Sequence, residues 1–291
     1  AQDRFELVRV SLLEPESFDA AFAGCRYLCH VASVAKLSAK DPQKEIIDPA
    51  VEGTKNALHA AAKAGIERVV LTSSIAAVID EGRPVDHTHS EADWNEERNI
   101  QRTPYTVSKA MAEQAAWKLV EALPEDQRFT MVAINPTVIL GPVMAEVHVR
   151  TTPALTRDLM VGNYPGMPNM CFSVADVRDV ANAHADALEN PQLEGRFVIY
   201  NDTLWMREIA DILRKHWPTR PIPKRGIPNF LMYVFALFDK RLNWAFLKRN
   251  LDVKRSIDAS KSKTSMGLRY RPLEETIVDT GKSFERLGLL E

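Results

Sequence analysis

The chain has 291 residues, of which 45% are hydrophobic and 26% charged, with 37 Lys and Arg against 39 Asp and Glu. Such a chain is globular and can bury the core of one large domain, or of a domain with a smaller lobe. The formal charge of -2 gives no long-range field to gather nucleic acid or acidic lipid, so neither partner is expected.

The chain opens on the charged "AQDRFELVRV" rather than a basic region with an apolar core, and the expectation is a cytoplasmic protein. A strand is expected at "FELVRVSLL", a helix at "PESFDAAFAG", a buried strand at "YLCHVAS", a helix from about Asp41 to Ala64, and a strand at "RVVLTSS". Continuous apolar strands separated by helices indicate a parallel sheet covered on both faces, hence an α/β fold. Cys25 and Cys29 fall within "GCRYLCHVAS", an apolar run that reads as a buried strand, and Cys171 lies far away, so reduced structural thiols are expected rather than a disulfide or metal ligands.

Strand "RVVLTSS" ends in Thr72, Ser73 and Ser74, at the carboxyl edge of the sheet, where open α/β folds bind ligands. A hydroxyl there either bonds a substrate oxygen as its charge changes or simply ends the strand. In the next helix, "TPYTVSKAMAEQAAWKL", Tyr105 and Lys109 stand four apart and share a face. A free phenol titrates near 10, and a neighbouring ammonium favours the phenolate, so the pair makes a tunable acid and base. The plain alternative is a packed ring beside a Lys whose stem lies along the surface.

The strand in "FTMVAINPTVILGP" is expected to end at Asn135, with Pro136 stopping the ladder, and a second lobe to begin near residue 143. There "NYPGMPNM" reads as a loop, and "DVRDVANAHADALEN" and "TLWMREIADILRKHW" as helices. The apolar run "IPNFLMYVFALFDKRLNWAFL" is broken by Asp239, Lys240 and Arg241 well short of a membrane span, which leaves a buried or pocket-lining helix. Tyr164, Met167, Phe172, Phe230, Tyr233 and Phe235 point to a hydrophobic or aromatic substrate, with plain core as the alternative for each.

With "VLTSSIAAV", "PYTVSKAMAEQAAW" and "INPTVILGP" in that order, and "HVAS", "PAVEGTKNALHAA", "DVRDVANAH" and "GLRYRPLEETIVDT" in support, the chain resembles the extended short-chain dehydrogenase/reductases. The nearest group is the dihydroflavonol reductase and cinnamoyl-CoA reductase-like enzymes. The resemblance implies a Rossmann-like doubly wound parallel sheet, with residues 1–142 a partial dinucleotide-binding domain. Residues 143–291 would be mostly a substrate-binding lobe, some segments returning to the core. It implies NADP or NAD as cofactor, NADP favoured, and a small hydrophobic or aromatic carbonyl or alcohol as substrate, on a monomer or homodimer. Tyr105 would be the proton donor, Lys109 would lower its pKa and hold the nicotinamide ribose, and Ser74, rather than Ser73, would orient the carbonyl oxygen. Val31, Ala32, Ser33 and Thr72 would line the cofactor, and the backbone around Pro136 to Val138 would meet the nicotinamide amide. Asn56 is either a supporting polar residue or plain helix surface, and His30 and His184 are expected to be structural, with no metal.

One element of the family pattern is missing. The first glycine is Gly24, followed by Gly53, Gly65 and Gly82, so no GxxGxxG turn is present to bring backbone amides against a pyrophosphate. "FELVRVSLL" would then be the family's third strand, in a Rossmann domain incomplete at its N-terminus. Ser11 stands where relatives commonly carry Asp. The expected activity is NAD(P)-dependent reduction of a ketone or aldehyde, or the reverse. Alternatives are an epimerase, dehydratase or hydroxysteroid-type dehydrogenase, and, from another class, a non-catalytic binding protein or inactive fragment.

Overall fold

The computed structural model describes residues 5–237 and 244–291. Its first half runs α1 (Ser17–Phe22), β1 (Tyr27–His30), α2 (Asp48–Lys63), β2 (Arg68–Thr72), α3 (Pro104–Ala122), β3 (Thr130–Pro136) and β4 (Val138–Leu140). It continues with α4 (Pro153–Met160), β5 (Cys171–Asp176), α5 (Val177–Glu189), β6 (Gly195–Ile199), β7 (Asp202–Trp205) and α6 (Met206–His216). The last helices are α7 (Asn229–Phe235), α8 (Trp244–Asn250), α9 (Ser260–Ser265) and α10 (Leu273–Arg286). Two compact units result, one from residues up to 82 with 89–135 and 183–198, the other from 83–88, 136–182 and 199–291.

The first unit is built on a four-stranded sheet of order β1-β2-β3-β6. β2 lies parallel to β1, with Arg68 opposite Tyr27, and parallel to β3, with Arg68 opposite Thr130. β2 and β3 are buried along almost their whole length, as their unbroken apolar runs require of a sheet covered on both faces. Ala61 and Leu58 of α2 and Ala116 of α3 pack on Val69, Leu71 and Met131. The Arg68 guanidinium donates to the carbonyls of Ala187, Asn190 and Leu193, satisfying groups that the end of α5 leaves without helical partners. His184 and Thr72 meet at 2.6 Å.

The structure corrects two expectations. "FELVRVSLL" forms no strand: Phe5, Leu7, Val8, Val10 and Leu13 are exposed, although the run has every local feature of one. A strand is stable only with a neighbour for its amides and carbonyls, and β1 is the last strand of its sheet among the described residues. The segment is held by Leu12 instead, which packs against Phe18 and Ala57 and whose carbonyl accepts from Asn56 at 2.9 Å. That fixes Asn56 in a structural tie. The second correction concerns Cys25 and Cys29, which are exposed free thiols: Cys25 precedes β1, and Cys29 lies on β1, an edge strand among the described residues.

The second unit is built on a three-stranded sheet of order β4-β5-β7, with β4 parallel and β7 antiparallel to β5. Leu140, Leu159, Val174, Ile209, Leu213 and Phe284 form its core. Met206, Ile209, Ala210 and Leu213 fall on one face of α6, the spacing that buries one side of an amphipathic helix. The apolar run after Ile227 yields the two seven-residue helices α7 and α8, and Asp239, Lys240 and Arg241 lie outside the described residues. No helix among the described residues is long and apolar enough to cross a membrane.

Candidate active site

Helix α3 begins at Pro104, which needs no amide partner in a first helical turn, and stops at Leu123, whose backbone is extended ahead of Pro124. Between them Ala, Met, Glu, Gln and Lys favour the helix. Tyr105, Lys109 and Glu113 follow at four-residue steps and therefore line one face. Ser108 donates to the Tyr105 carbonyl at 2.7 Å.

Strand β2 delivers the serines. The Ser73 amide still donates to Ile134 at 2.8 Å, prolonging the ladder past the strand end. Ser74 is extended, with φ -161, and caps the single turn Ile75–Ala77, its hydroxyl accepting from the Ala76 amide at 3.1 Å. The cap fixes where that hydroxyl points. It lies near enough to the Tyr105 phenol to lower its pKa. Ser74 and Lys109 are each 8% exposed, and Tyr105 is half-buried. The structure thus brings Ser74, Tyr105 and Lys109 together in the first unit.

The electrostatics differ from the sequence expectation. Burial raises the Tyr105 phenol above its ordinary value, opposed by Ser74. Burial also lowers Lys109 from 10.5 to about 8, against the attraction of Glu113. His30 falls to about 4, through burial first and the Lys109 charge second, and is neutral at physiological pH.

Lys109 therefore carries a cost in stability. Its ammonium is harder to hold folded than unfolded, so the penalty is present in full below about pH 8 and is relieved as pH rises toward the unfolded value. A fall from 10.5 to about 8 corresponds to roughly 3 kcal/mol. Lys109→Met is expected to raise stability at pH 7, by up to about 3 kcal/mol, and to raise it less at pH 10. Urea denaturation at the two pH values checks this, and a variant destabilised at pH 7 contradicts it.

Ala32 and Ser33 line a crevice with His30, Thr54, Thr72 and Lys109. Val31, by contrast, is 59% exposed and does not line it. The crevice is only about 10 Å³, and the Ser33 hydroxyl and the Lys109 ammonium are among its polar groups. Pro136 and Val138 belong to the second unit, Pro136 buried at the end of β3 and Val138 half-buried at the start of β4. That unit also holds a cavity of about 920 Å³ lined by Tyr164, Met170, Phe172, Met206, Met232 and Phe235. Of the other expected pocket residues, Met167 is core, Phe230 is 67% exposed, and Tyr233 packs on Trp244 with ring centroids 5.0 Å apart.

Sequence reasoning missed Glu113, Asn135 and Arg196, which surround the serines. Glu113 stands four residues beyond Lys109 and was legible from that spacing. Arg196 lies 83 residues from Glu113, and no local pattern marks it.

The family described as "3-beta hydroxysteroid dehydrogenase/isomerase family" matches residues 2–206. Cinnamoyl-CoA reductase CAD2 of Medicago truncatula is 36% identical over 296 residues, covering 98% of this chain and 81% of that protein. Tetraketide alpha-pyrone reductase 1 of Arabidopsis thaliana is 30% identical over 301 residues, covering 100% of this chain and 82% of that protein. Among solved structures, yeast methylglyoxal/isovaleraldehyde reductase Gre2 complexed with NADPH aligns with a TM-score of 0.79 at 30% identity, over 96% of this chain and 83% of that one. Matched along most of its length by reductases, the chain belongs to the 3-beta hydroxysteroid dehydrogenase/isomerase family of extended short-chain dehydrogenase/reductases and is an NAD(P)-dependent oxidoreductase.

Proposed function

We propose that the chain reduces a small hydrophobic or aromatic aldehyde or ketone to its alcohol, with Ser74, Tyr105 and Lys109 as the acting residues. The observation that carries this reading is the cap at the end of β2 that fixes the Ser74 hydroxyl, near enough to the Tyr105 phenol to lower its pKa and one helical turn from the buried Lys109. A carbonyl oxygen seated between the two hydroxyls accepts from both, and they stabilise the negative charge it gains. The nicotinamide, when bound, supplies the hydride. Tyr105 then gives its proton to the oxygen, and the Lys109 ammonium stabilises the phenolate left behind.

The raised phenol supports reduction as the working direction. A Tyr105 kept protonated at neutral pH is already the acid that reduction needs, whereas oxidation of an alcohol needs the disfavoured phenolate. The family resemblance assigns Val31, Ala32, Ser33, Thr72 and Lys109, and also Pro136 and Val138, to the nicotinamide end of NADPH or NADH, and the crevice shared by Ala32, Ser33, Thr72 and Lys109 supports that reading. The aromatic wall of the second unit's cavity supports the substrate class, as does the name of the yeast neighbour, an isovaleraldehyde reductase.

The Lys109 value gives the reaction a pH signature. The ammonium is charged below about 8 and neutral above it, so carbonyl reduction is expected to hold a plateau at lower pH and fall as pH rises through that value. Beyond it the loss approaches about tenfold per pH unit, as expected when one essential proton is removed. Turnover at saturating cofactor, followed from pH 6 to 10, checks this; a plateau reaching the top of that range contradicts the role of Lys109.

A further inference from the structure

Glu113 is 1% exposed and receives donors from four directions. The Ser73 hydroxyl donates to it at 2.5 Å, the Asn135 amide at 2.7 Å, the Arg196 guanidinium at 2.7 Å and the Trp117 indole at 3.2 Å. Three of the four partners, the Asn135, Arg196 and Trp117 N–H groups, can only donate, and the Ser73 hydroxyl can donate as well. An amide nitrogen in place of either carboxylate oxygen would set hydrogen against hydrogen. Asn135 confirms the polarity: its amide nitrogen also donates to the Ser74 carbonyl at 3.2 Å, while its side-chain oxygen is buried with no partner. Turning the amide over would place oxygen against two acceptors, so the orphaned oxygen is the lesser cost.

The network has one fixed side and one acting side. Arg196 is anchored by the carbonyls of Glu91, Asp93 and Ala77 and lies 3.8 Å from the Trp94 ring centroid. From that anchor the carboxylate grips Ser73, and through Asn135 it grips the Ser74 backbone, next to the cap that aims the Ser74 hydroxyl.

We propose that Glu113 is a positioning residue for carbonyl reduction, holding the strand end that carries Ser74 in register with the helix that carries Tyr105 and Lys109. The role rests on the reduction reading above. Glu113 touches no reacting atom. Its charge also acts on Lys109, whose other charged or titratable neighbours are Tyr105 on the same helix and His30 at the end of β1, with Arg196 facing it across the carboxylate. Attraction to Glu113 opposes the loss of the Lys109 proton.

The test replaces Glu113 by Gln in the full chain and reads two quantities. The first is the Lys109 titration midpoint, from the side-chain ¹³C shift of lysine-labelled protein assigned with Lys109→Arg; it is expected to fall by about one pH unit as the attraction goes. The second is turnover at saturating cofactor, expected to fall about tenfold or more and to be partly restored by Glu113→Asp, which keeps an acceptor-only group. A folded Glu113→Gln with its midpoint unmoved and turnover within threefold of the parent overturns the proposal. Should that variant not fold, Ser73→Ala decides. It removes one of the four donors and is expected to lower turnover about tenfold with cofactor affinity unchanged, and turnover within twofold overturns the proposal. The lysine titration needs no substrate, so its failure is distinct from failure of the reduction reading, which the Tyr105 variant judges by itself.

Discussion

Replacing Tyr105 by Phe is expected to lower carbonyl turnover roughly 10²- to 10⁴-fold while leaving cofactor affinity nearly intact. The substitution deletes one oxygen from a ring that α3 holds half-buried, and it leaves the hydrophobic contacts of that ring in place. What disappears is the proton delivered to the reduced oxygen and one of two donors to the developing charge. Water is a poor replacement at this position, because the site is desolvated enough to push the phenol upward. Folding should not suffer; the variant sheds a buried hydroxyl whose partner, Ser74, keeps the Ala76 amide. Steady-state turnover with saturating NADPH or NADH, beside cofactor titration, measures both halves. Turnover within threefold of the parent, or a collapse of cofactor binding in its place, contradicts the role given to Tyr105.

Ser74→Ala is expected to cost on the order of 10²-fold, the amount typical of one fixed donor removed from a developing oxyanion. The geometry distinguishes it from its neighbour. Ser74 turns its hydroxyl to Tyr105, whereas Ser73 turns its own inward to Glu113. Ser74→Ala should therefore act on turnover directly, and Ser73→Ala only through loosened placement, with about a tenth of the effect. The alanine at 74 also forfeits the cap on Ile75–Ala77, a loss of about 1 kcal/mol in stability. Measured together, the two variants order the serines: a silent Ser74→Ala beside a strongly damaged Ser73→Ala would shift the assignment by one residue.

How much of this was legible in the sequence depends on how local each feature is. The strand at Arg68–Thr72 and the helix at Pro104–Ala122 were readable because unbroken apolar runs and good helix formers fix them almost regardless of context. The shared face of Tyr105 and Lys109 followed from helical spacing alone. "FELVRVSLL" misled for the opposite reason: its residues have strand propensity, but a strand is a property of two segments, and among the described residues no partner lies beside this one. The thiols of Cys25 and Cys29 were misplaced too, since Cys25 falls before β1 and Cys29 on a strand that is an edge among the described residues. The direction of the Tyr105 shift was hidden too. Sequence spacing shows the ammonium but not the burial that raises the phenol. Arg196 shows the limit most sharply, because its pairing with Glu113, 83 residues away in the chain, leaves no periodic trace.

Transfer of a labelled hydride is the most direct test of carbonyl reduction at Ser74, Tyr105 and Lys109. The purified chain, supplied with NADPH or NADH deuterated on the transferring face of the nicotinamide and with a panel of aromatic and branched aliphatic aldehydes and ketones, should yield an alcohol bearing one deuterium on its carbinol carbon. Mass spectrometry should find that product reduced at least about a hundredfold in Tyr105→Phe under the same conditions. Absence of deuterated alcohol from every carbonyl tried, or equal amounts from parent and variant, would contradict it.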